Sequence, residues 1–218
     1  MLSEGGRALA SRVEEGEKFS HAEKLNVFIA EVMAEAGKDL DELDAVAVGV
    51  GPGSYTGLRI GLSAAKGLCF ALDVPLIGMG TLDVLVAQYL ALPDIDRQPS
   101  DVLYPMIDAR RMEVFTAPFD GSGKVGGESQ PVILDASWCS ALPQNKRHLV
   151  FGDGADKAGD LWVGHSQVVH VAGIRPTVLG LVARAEAQFR SGDLADMVRL
   201  VPAYGKAARV GGGFPLQP

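Results

Sequence analysis

The sequence predicts an α/β fold with mixed sheets flanked by helices, on the basis of three features. Residues 45–51 form a run of small and β-branched residues that is apolar on both faces, as in a buried strand. Helical periodicity is clear at 20–36 and again at 177–192. Strand patterns resume after the proline-containing stretch 93–100, so strands and helices alternate in both halves of the chain.

The N-terminal residues predict a hairpin followed by an amphipathic helix. A strand is expected at about 7–13, after a turn at Gly5 and Gly6. Ser20 and Glu23 have the spacing of a capping box, and Gly37 is a typical helix stop. The helix between them carries apolar residues at helical spacing, namely Leu25, Phe28, Ile29, Val32, Met33 and Ala36.

After the strand at 45–51, a glycine-rich loop leads into a helix predicted at about 56–72. A short strand is expected at 74–77, and Thr81 is expected to cap a helix that runs to about Leu90. The stretch 93–100 is the predicted boundary between two lobes, which gives domains at 1–95 and 96–205. The glycine-rich tail at 206–218 is expected to be disordered.

In the second half, strands at 102–107 and 112–119 form a predicted hairpin around Asp108-Ala109-Arg110-Arg111. Further strands are expected at 130–134 and 148–151, the latter entering Gly152-Asp153-Gly154 and a helix. Asp153 is most simply a cap or turn residue. Thr177 is expected to cap a last helix that ends at Gly192.

Composition excludes several classes of protein. The 218-residue chain is 47% hydrophobic, which is typical of a globular core, and its net charge of −7 provides no overall positive field for a nucleic acid. Cys69 and Cys139 form no disulfide framework, so a reducing cytoplasm is expected. Neither a leader peptide nor an 18-residue apolar run is present, which argues against secretion and a membrane.

The glycine loop is the most informative candidate site. A loop between a buried strand and a helix N-terminus offers backbone N–H groups and a positive dipole end to a phosphate or another anion. Equally, its glycines could simply permit a tight turn and close helix packing. The candidate nucleotide or anion residues are Gly51, Pro52, Gly53, Ser54, Tyr55, Thr56, Gly57 and Arg59.

Other well-known sites are excluded by spacing. A Walker A loop requires Lys directly after its last glycine, where this chain has Leu58. The dinucleotide fingerprint fails because Thr56 stands where its third glycine belongs. Ser63 lies within a predicted helix and not at a nucleophile elbow. His165 and His170 lack nearby acidic residues in the sequence and are expected at the surface.

Four stretches, at 20–25, 64–72, 107–114 and 152–155, together with the loop at 51–61, resemble the TsaB (YeaZ) family. The match covers most of the chain and is strongest before Asp120. The resemblance implies a two-lobed actin-like (ASKHA, ribonuclease H-like) fold. TsaB-like chains normally open with a strand and an Asp-Thr-Ser type turn, so the first N-terminal strand is missing from this sequence, and we expect a truncated start.

The resemblance also implies a function. TsaB-like chains are the non-catalytic scaffold and dimerization subunit beside the catalytic subunit TsaD in the synthesis of threonylcarbamoyladenosine in tRNA. TsaD consumes a threonylcarbamoyl-adenylate, and the ATPase TsaE completes the complex, so ATP or ADP is expected only at the level of the complex. TsaD-like chains carry two metal-binding histidines where this chain has Thr81 and Leu85, so neither a metal site nor protease activity is expected.

The expected partners are therefore a TsaD-like subunit, a TsaE-like ATPase, tRNA through the complex only, and alternatively a second copy of this chain. The predicted interface residues are His21, Leu25, Phe28, Ile29 and Val32. The alternative is a nucleotide-binding phosphotransferase or hydrolase that uses the glycine loop with Asp108 or Asp153. Direct tRNA binding is a third hypothesis, which the acidic charge disfavours.

Overall fold

A computed structural model describes residues 1–14, 21–93 and 95–205, with the backbone only at 21–23. The first half of the chain contains four strands and three helices. They are β1 Leu2–Glu4, β2 Arg7–Ala10, α1 His21–Ala36, β3 Val46–Gly51, α2 Tyr55–Leu72, β4 Leu76–Gly80 and α3 Thr81–Leu90. A short 3-10 turn at Leu40–Glu42 precedes β3.

The second half contains six strands and three helices. They are β5 Val102–Asp108, β6 Glu113–Thr116, β7 Phe119–Asp120, β8 Gln130–Ile133, α4 Ala136–Ala141, β9 His148–Phe151, α5 Asp153–Asp156, β10 Val168–Val171 and α6 Val178–Ser191. The predicted strand at 130–134 and the predicted strand at 148–151 are both confirmed.

The strands of the first half form two separate sheets. β1 and β2 pair antiparallel around Gly5 and Gly6, both of which adopt positive φ, so the predicted hairpin is confirmed. β3 and β4 pair parallel, with Val46 opposite Leu76. Among the described residues, no strand pairs with the second edge of β3.

One mixed sheet organises the second half, with strand order β10-β9-β5-β6-β8 and β7 paired to β5. β9 lies between two parallel neighbours, and all four of its residues are buried. The hairpin β5–β6 turns at Arg110 and Arg111, which both have positive φ. The hairpin predicted around Asp108 is thereby confirmed.

α3 joins the two halves through the core. Leu85 and Tyr89 of this helix are fully buried, and the Tyr89 ring stacks on Phe151 of β9 with centroids 4.7 Å apart. α3 also packs against α6. Next to the stretch 93–100, Arg147 donates from Nε and Nη2 to the carboxylate of Asp101 at 2.9 and 2.8 Å. Its Nη1 pairs with Asp96.

Several boundary and cap predictions are wrong. The strand predicted at 7–13 ends at Ala10, and the one predicted at 74–77 lies at 76–80. Gly80, and not Thr81, is the N-cap of α3. Thr177 occupies the N-cap of α6, but its hydroxyl contacts Gln88 Oε1 instead of capping the helix.

Other predictions are confirmed or concern residues that the structure does not describe. Gly37 and Gly192 end their helices with positive φ, as predicted. The Ser20 cap and the tail at 206–218 lie outside the described residues. None of the helices in the described ranges combines the length and the apolar character needed to cross a bilayer.

Candidate functional site

The glycine loop connects β3 to α2 as the sequence predicts. Ser54 is the N-cap of α2, and its Oγ accepts a hydrogen bond from the Gly57 N–H at 3.3 Å. The Ser54 carbonyl accepts from the Leu58 N–H at 2.9 Å. The side-chain cap thus satisfies one of the N–H groups that a helix N-terminus leaves without an intrahelical partner, and the Leu58 bond is the first bond of the helix itself.

The chain itself closes one side of the loop. The Ala203 N–H donates to the Val50 carbonyl at 2.7 Å. Gly51 has a φ of +117°, and a Cβ at this position would lie 2.3 Å from the Ala203 carbonyl oxygen. A side chain cannot be accommodated there, because both the backbone conformation and the contact exclude it. At Gly51 the glycine is therefore explained by packing, without a ligand.

A cavity of about 250 Å³ lies beside the loop, between Gly51 and Pro52 on one side and Phe119 on the other. Neither Lys nor Arg is among its lining residues. Its charged group is the carboxylate of Asp83, which Arg184 approaches to 3.3 Å. A carboxylate in the absence of a lining cation does not suit a phosphate group.

Arg59 lies one turn further along α2 and lines a different cavity. Its guanidinium carbon sits 4.6 Å from the centroid of the Tyr55 ring, and its Nε donates to Tyr204 Oη at 3.0 Å. The rings of Tyr55 and Tyr204 are 4.7 Å apart. Arg59 is thus fixed along the groove between α2 and the chain near Tyr204.

The predicted interface residues of α1 differ in burial. Leu25, Phe28 and Ile29 are half-buried, whereas Val32 is only 4% exposed. The side chain of His21 lies outside the described residues. α1 packs against α2 and β2, which explains why Val32 points into the molecule.

Two apolar side chains that the sequence analysis did not place at the interface are exposed on these helices. Val27 of α1 is 52% exposed, and Phe70 of α2 is 81% exposed. Phe70 lies about 100° around the helix from the buried Cys69 and one turn from the exposed Gly67, which could have indicated its outward direction.

The acidic residues proposed for catalysis have structural partners. Asp108 Oδ1 accepts from the Arg110 N–H at 2.7 Å and contacts Lys157 Nζ. Asp153 Oδ1 accepts from the Gly154 N–H at 2.9 Å and from the Asp108 N–H at 3.1 Å. These bonds hold the β5–β6 hairpin against α5 and position neither carboxylate on a cavity described above.

The histidine prediction is wrong in part. His170 is not a free surface residue, because its Nε2 lies 2.8 Å from Asp156 Oδ1, a partner that the fold brings from α5. Burial alone would raise the pKa of the Asp156 carboxyl, but the hydrogen bonds from Arg175 and His170 hold it below its usual range. His165 is half-buried. In the described ranges, no three His, Cys, Asp or Glu side chains cluster as metal ligands would.

Thr81 and Leu85, at the positions where the resemblance places two histidines in TsaD-like chains, carry no imidazole. Thr81 begins α3, and Leu85 is fully buried in the core. An aliphatic side chain cannot bind a metal ion.

A family model described as "tRNA N6-adenosine threonylcarbamoyltransferase" (TsaD) matches residues 15–137. Among solved structures, YeaZ from Pseudomonas aeruginosa superimposes with a TM-score of 0.64 at 23% identity, covering 86% of each chain. The fold is therefore actin-like, and the chain belongs to the family that this model describes.

Two curated relatives refine this assignment. The chain is 26% identical to "tRNA threonylcarbamoyladenosine biosynthesis protein TsaB" of Haemophilus influenzae, over 91% of this chain and 85% of that one. It is 31% identical to the protein of the same name from Escherichia coli, but that match spans about half of each, 52% and 48%. Within the larger family, the chain belongs to the TsaB (YeaZ) group.

Proposed function

We propose that this chain is the non-catalytic scaffold and dimerization subunit of the complex that synthesises N6-threonylcarbamoyladenosine in tRNA. Its catalytic partner is a TsaD-like subunit. The names of the TsaB relatives support the pathway, and the match to the threonylcarbamoyltransferase model supports a common origin with the catalytic subunit. A TsaE-like ATPase joins the complex, which is where ATP or ADP is used, and tRNA is bound through the complex.

A binding role agrees with the chemistry of the described residues. Thr81 and Leu85 cannot replace two histidine ligands, and the cavity beside the glycine loop is lined by Asp83 but by neither Lys nor Arg. Asp108 and Asp153 are held by hydrogen bonds within the fold. The nucleotide-enzyme alternative therefore has no observation in its favour.

The observation that carries the scaffold proposal is the exposure of Phe70. A phenylalanine that is 81% exposed in the last turns of a helix is costly to leave in water, and such side chains often anchor interfaces. Ser63, Gly67 and Ala71 are exposed on the same helix and have little bulk, so a partner helix can approach closely. Val27 on the adjacent helix α1 adds a second exposed apolar side chain.

The partner surface that we propose therefore consists of the outward faces of α1 and α2. Leu25, Phe28 and Ile29 lie beside Val27 in α1 and are half-buried. We expect the exposed parts of these side chains to contact the partner. Val32 supports the interface from beneath, because it packs in the core. Its replacement by a charged residue would test folding and not binding.

The experiment is co-purification of this chain with the TsaD-like subunit of the same organism, with tRNA modification as the functional readout. We expect Phe70→Glu to weaken the complex by about tenfold or more, since a buried anchor is replaced by an unpaired charge. Val163→Glu is the matched control, because Val163 is similarly exposed in the second half of the chain.

Three outcomes would contradict the proposal. These are an unchanged affinity for Phe70→Glu, full modification in the absence of this chain, and Mg²⁺-dependent ATP turnover by the isolated chain. The last would restore the enzyme alternative. Sedimentation of the isolated chain, with and without the substitution, decides whether a second copy uses the same surface.

A further inference from the structure

A further surface lies along the flank of α2 that also carries Phe70, where the helix meets the irregular chain that follows α6. The two segments enclose a groove of about 360 Å³. Its lining combines polar and apolar groups, contributed mainly by Arg59, Ser63, Lys66, Leu200, Val201 and Tyr204. A groove of this volume accommodates side chains or a short peptide segment.

The groove carries two positive charges without compensation. Arg59 and Lys66 lie two helical turns apart, which places them on the same side of α2 at a separation of about 10 Å along its axis. Neither side chain forms an ion pair with a carboxylate of the described residues, and the lining contains neither Asp nor Glu. The protein has a net charge of −7, so the groove is a local region of positive charge on an acidic molecule.

The position of the Arg59 guanidinium is fixed before any ligand binds. It lies over the Tyr55 ring and donates from Nε to Tyr204 Oη, so two aromatic residues restrain it. This donation leaves the terminal nitrogens of the guanidinium, the pair best suited to a carboxylate, without a partner among the described residues. A restrained arginine loses less conformational entropy on binding than a free one.

The rim of the groove is apolar. Val198 is 85% exposed and Val201 is 69% exposed, on the segment that forms one wall. Because this segment also packs Met197 and Leu200 into the core beneath α2, its exposed valines are held in position. A ligand that fits here must bring apolar groups as well as negative charge.

We propose that this groove is a docking site for an acidic, partly apolar peptide segment of a partner protein. Charge complementarity identifies the occupant, because two unpaired cations face a groove without acids and are flanked by exposed valines. An RNA backbone fits less well, since a polyanion experiences the negative field of the whole chain and finds few phosphate contacts here. The proposal rests on the proposed function, because Ser63 and Phe70 on this face of α2 belong to the surface that we assign to the TsaD-like partner, and the acidic segment is expected in that partner.

The spacing of the cations makes the proposal specific. Carboxylates about 10 Å apart on one face correspond to acidic residues three positions apart in a polyproline II segment or seven apart in an α-helix. The intervening apolar side chains would contact Val198 and Val201. Peptides with this pattern are the expected ligands.

The probe is a library of random short peptides displayed on phage, selected in parallel on the wild-type chain and on the double variant Arg59→Glu/Lys66→Glu. We expect acidic residues at one of these spacings, with apolar neighbours, to be enriched on the wild type and not on the variant. A synthetic peptide from the selection should then lose about tenfold or more in affinity on the variant, measured by fluorescence anisotropy. Raising the salt concentration should weaken its binding to the wild type.

The control is Lys124→Glu/Lys146→Glu, which changes the net charge equally at two exposed lysines outside the groove. It should bind the peptide like the wild type. If Arg59→Glu/Lys66→Glu does not fold, as judged by its thermal transition, Arg59→Gln/Lys66→Gln replaces it and should also weaken binding.

Either of two results would overturn the proposal. One is a selection without acidic enrichment, or with equal enrichment on the groove variant. The other is an RNA hairpin that binds more tightly than every selected peptide and loses its affinity in the groove variant. Val27→Glu, on the α1 part of the partner surface and outside the groove, should leave the selected peptide bound, which separates this test from that of the scaffold proposal.

Discussion

Strands β3 and β9 are both short, apolar and parallel, yet they differ in burial. All four residues of β9 are buried, because β10 and β5 pair with its two edges and helices cover its faces. β3 pairs with β4 alone among the described strands, and its residues up to Val50 are only half-buried. An apolar run in the sequence thus predicts a strand, but the neighbouring elements determine how much of it is removed from water.

The same difference separates the two halves of the chain. The described strands of the second half form a single six-stranded sheet, whereas those of the first half form two small sheets. Exposed apolar side chains occur in both halves, such as Phe70 and Val163. An irregular segment after α6 partly compensates for the small size of the β3–β4 sheet by bonding to its strands. The Ala195 N–H donates to the Leu76 carbonyl at 2.8 Å, and the Ala203 N–H donates to the Val50 carbonyl. Stability is therefore concentrated in the second half, and both proposed docking surfaces lie on the first.

The largest expected effect tests this contrast directly. Phe151→Ala in β9 removes a fully buried ring stacked on Tyr89 and should lower the free energy of unfolding by about 4 kcal/mol. Val48→Ala in β3 removes two methyl groups that are only partly buried, at a cost of about 1 kcal/mol. Urea denaturation measures both. Equal losses would mean that β3 is as well enclosed as β9 and would break the comparison.

Local periodicity predicted most of the elements in both halves, because helix α1, helix α2 and the strands carry their signals in adjacent residues. The failures occurred where a distant contact decided the outcome. Thr177 bonds to Gln88 in α3 instead of capping its own helix, and the fold brings His170 to Asp156. Neither contact has a signal in the local sequence.

Like the fold, the candidate site was predictable only where its signals lie in adjacent residues. The loop at 51–57 and its cap at Ser54 follow from glycine placement and capping chemistry. The groove was not predictable, because Tyr204 lies far along the chain from Arg59 and belongs to a segment without regular secondary structure. The burial of Val32 and the exposure of Phe70 likewise depend on how α1 packs on its neighbours.

The second prediction concerns the ion-pair clasp that Arg147 forms with Asp101 and Asp96 at the start of the second half. Asp101 is 2% exposed, and Asp101→Asn should cost about 2 to 3 kcal/mol, because the charge-assisted bonds to Arg147 are lost in a buried site. Asp96→Asn is the control, since the Asp96 carboxylate is largely exposed and its contribution should be below about 1 kcal/mol.

The pH dependence of this clasp follows from the pKa of Asp101. Burial alone would raise that pKa, but the hydrogen bonds from Arg147 and the Gln98 N–H lower it below its usual value. The ionised carboxylate therefore stabilises the fold above about pH 4, and this contribution is lost as the pH falls through the lowered pKa. The stability difference between wild type and Asp101→Asn should shrink in acid. A difference that stays constant from neutral pH to about pH 2 would contradict this account.

The smallest expected effect concerns the glycine loop in the less buried half. Ser54→Ala removes the cap of α2 and should lower the free energy of unfolding by about 1 kcal/mol, because the Gly57 N–H loses its side-chain acceptor. Thr56→Ala, an exposed position in the same turn, is the control and should change stability by less than about 0.5 kcal/mol.

Urea denaturation in the absence and presence of ATP separates the two interpretations of the glycine loop, helix capping and nucleotide binding. If Ser54 only caps the helix, ATP leaves both variants and the wild type unchanged. If ATP stabilises the wild type and this gain is lost in Ser54→Ala, the loop binds the nucleotide, and the packing explanation of its glycines is insufficient.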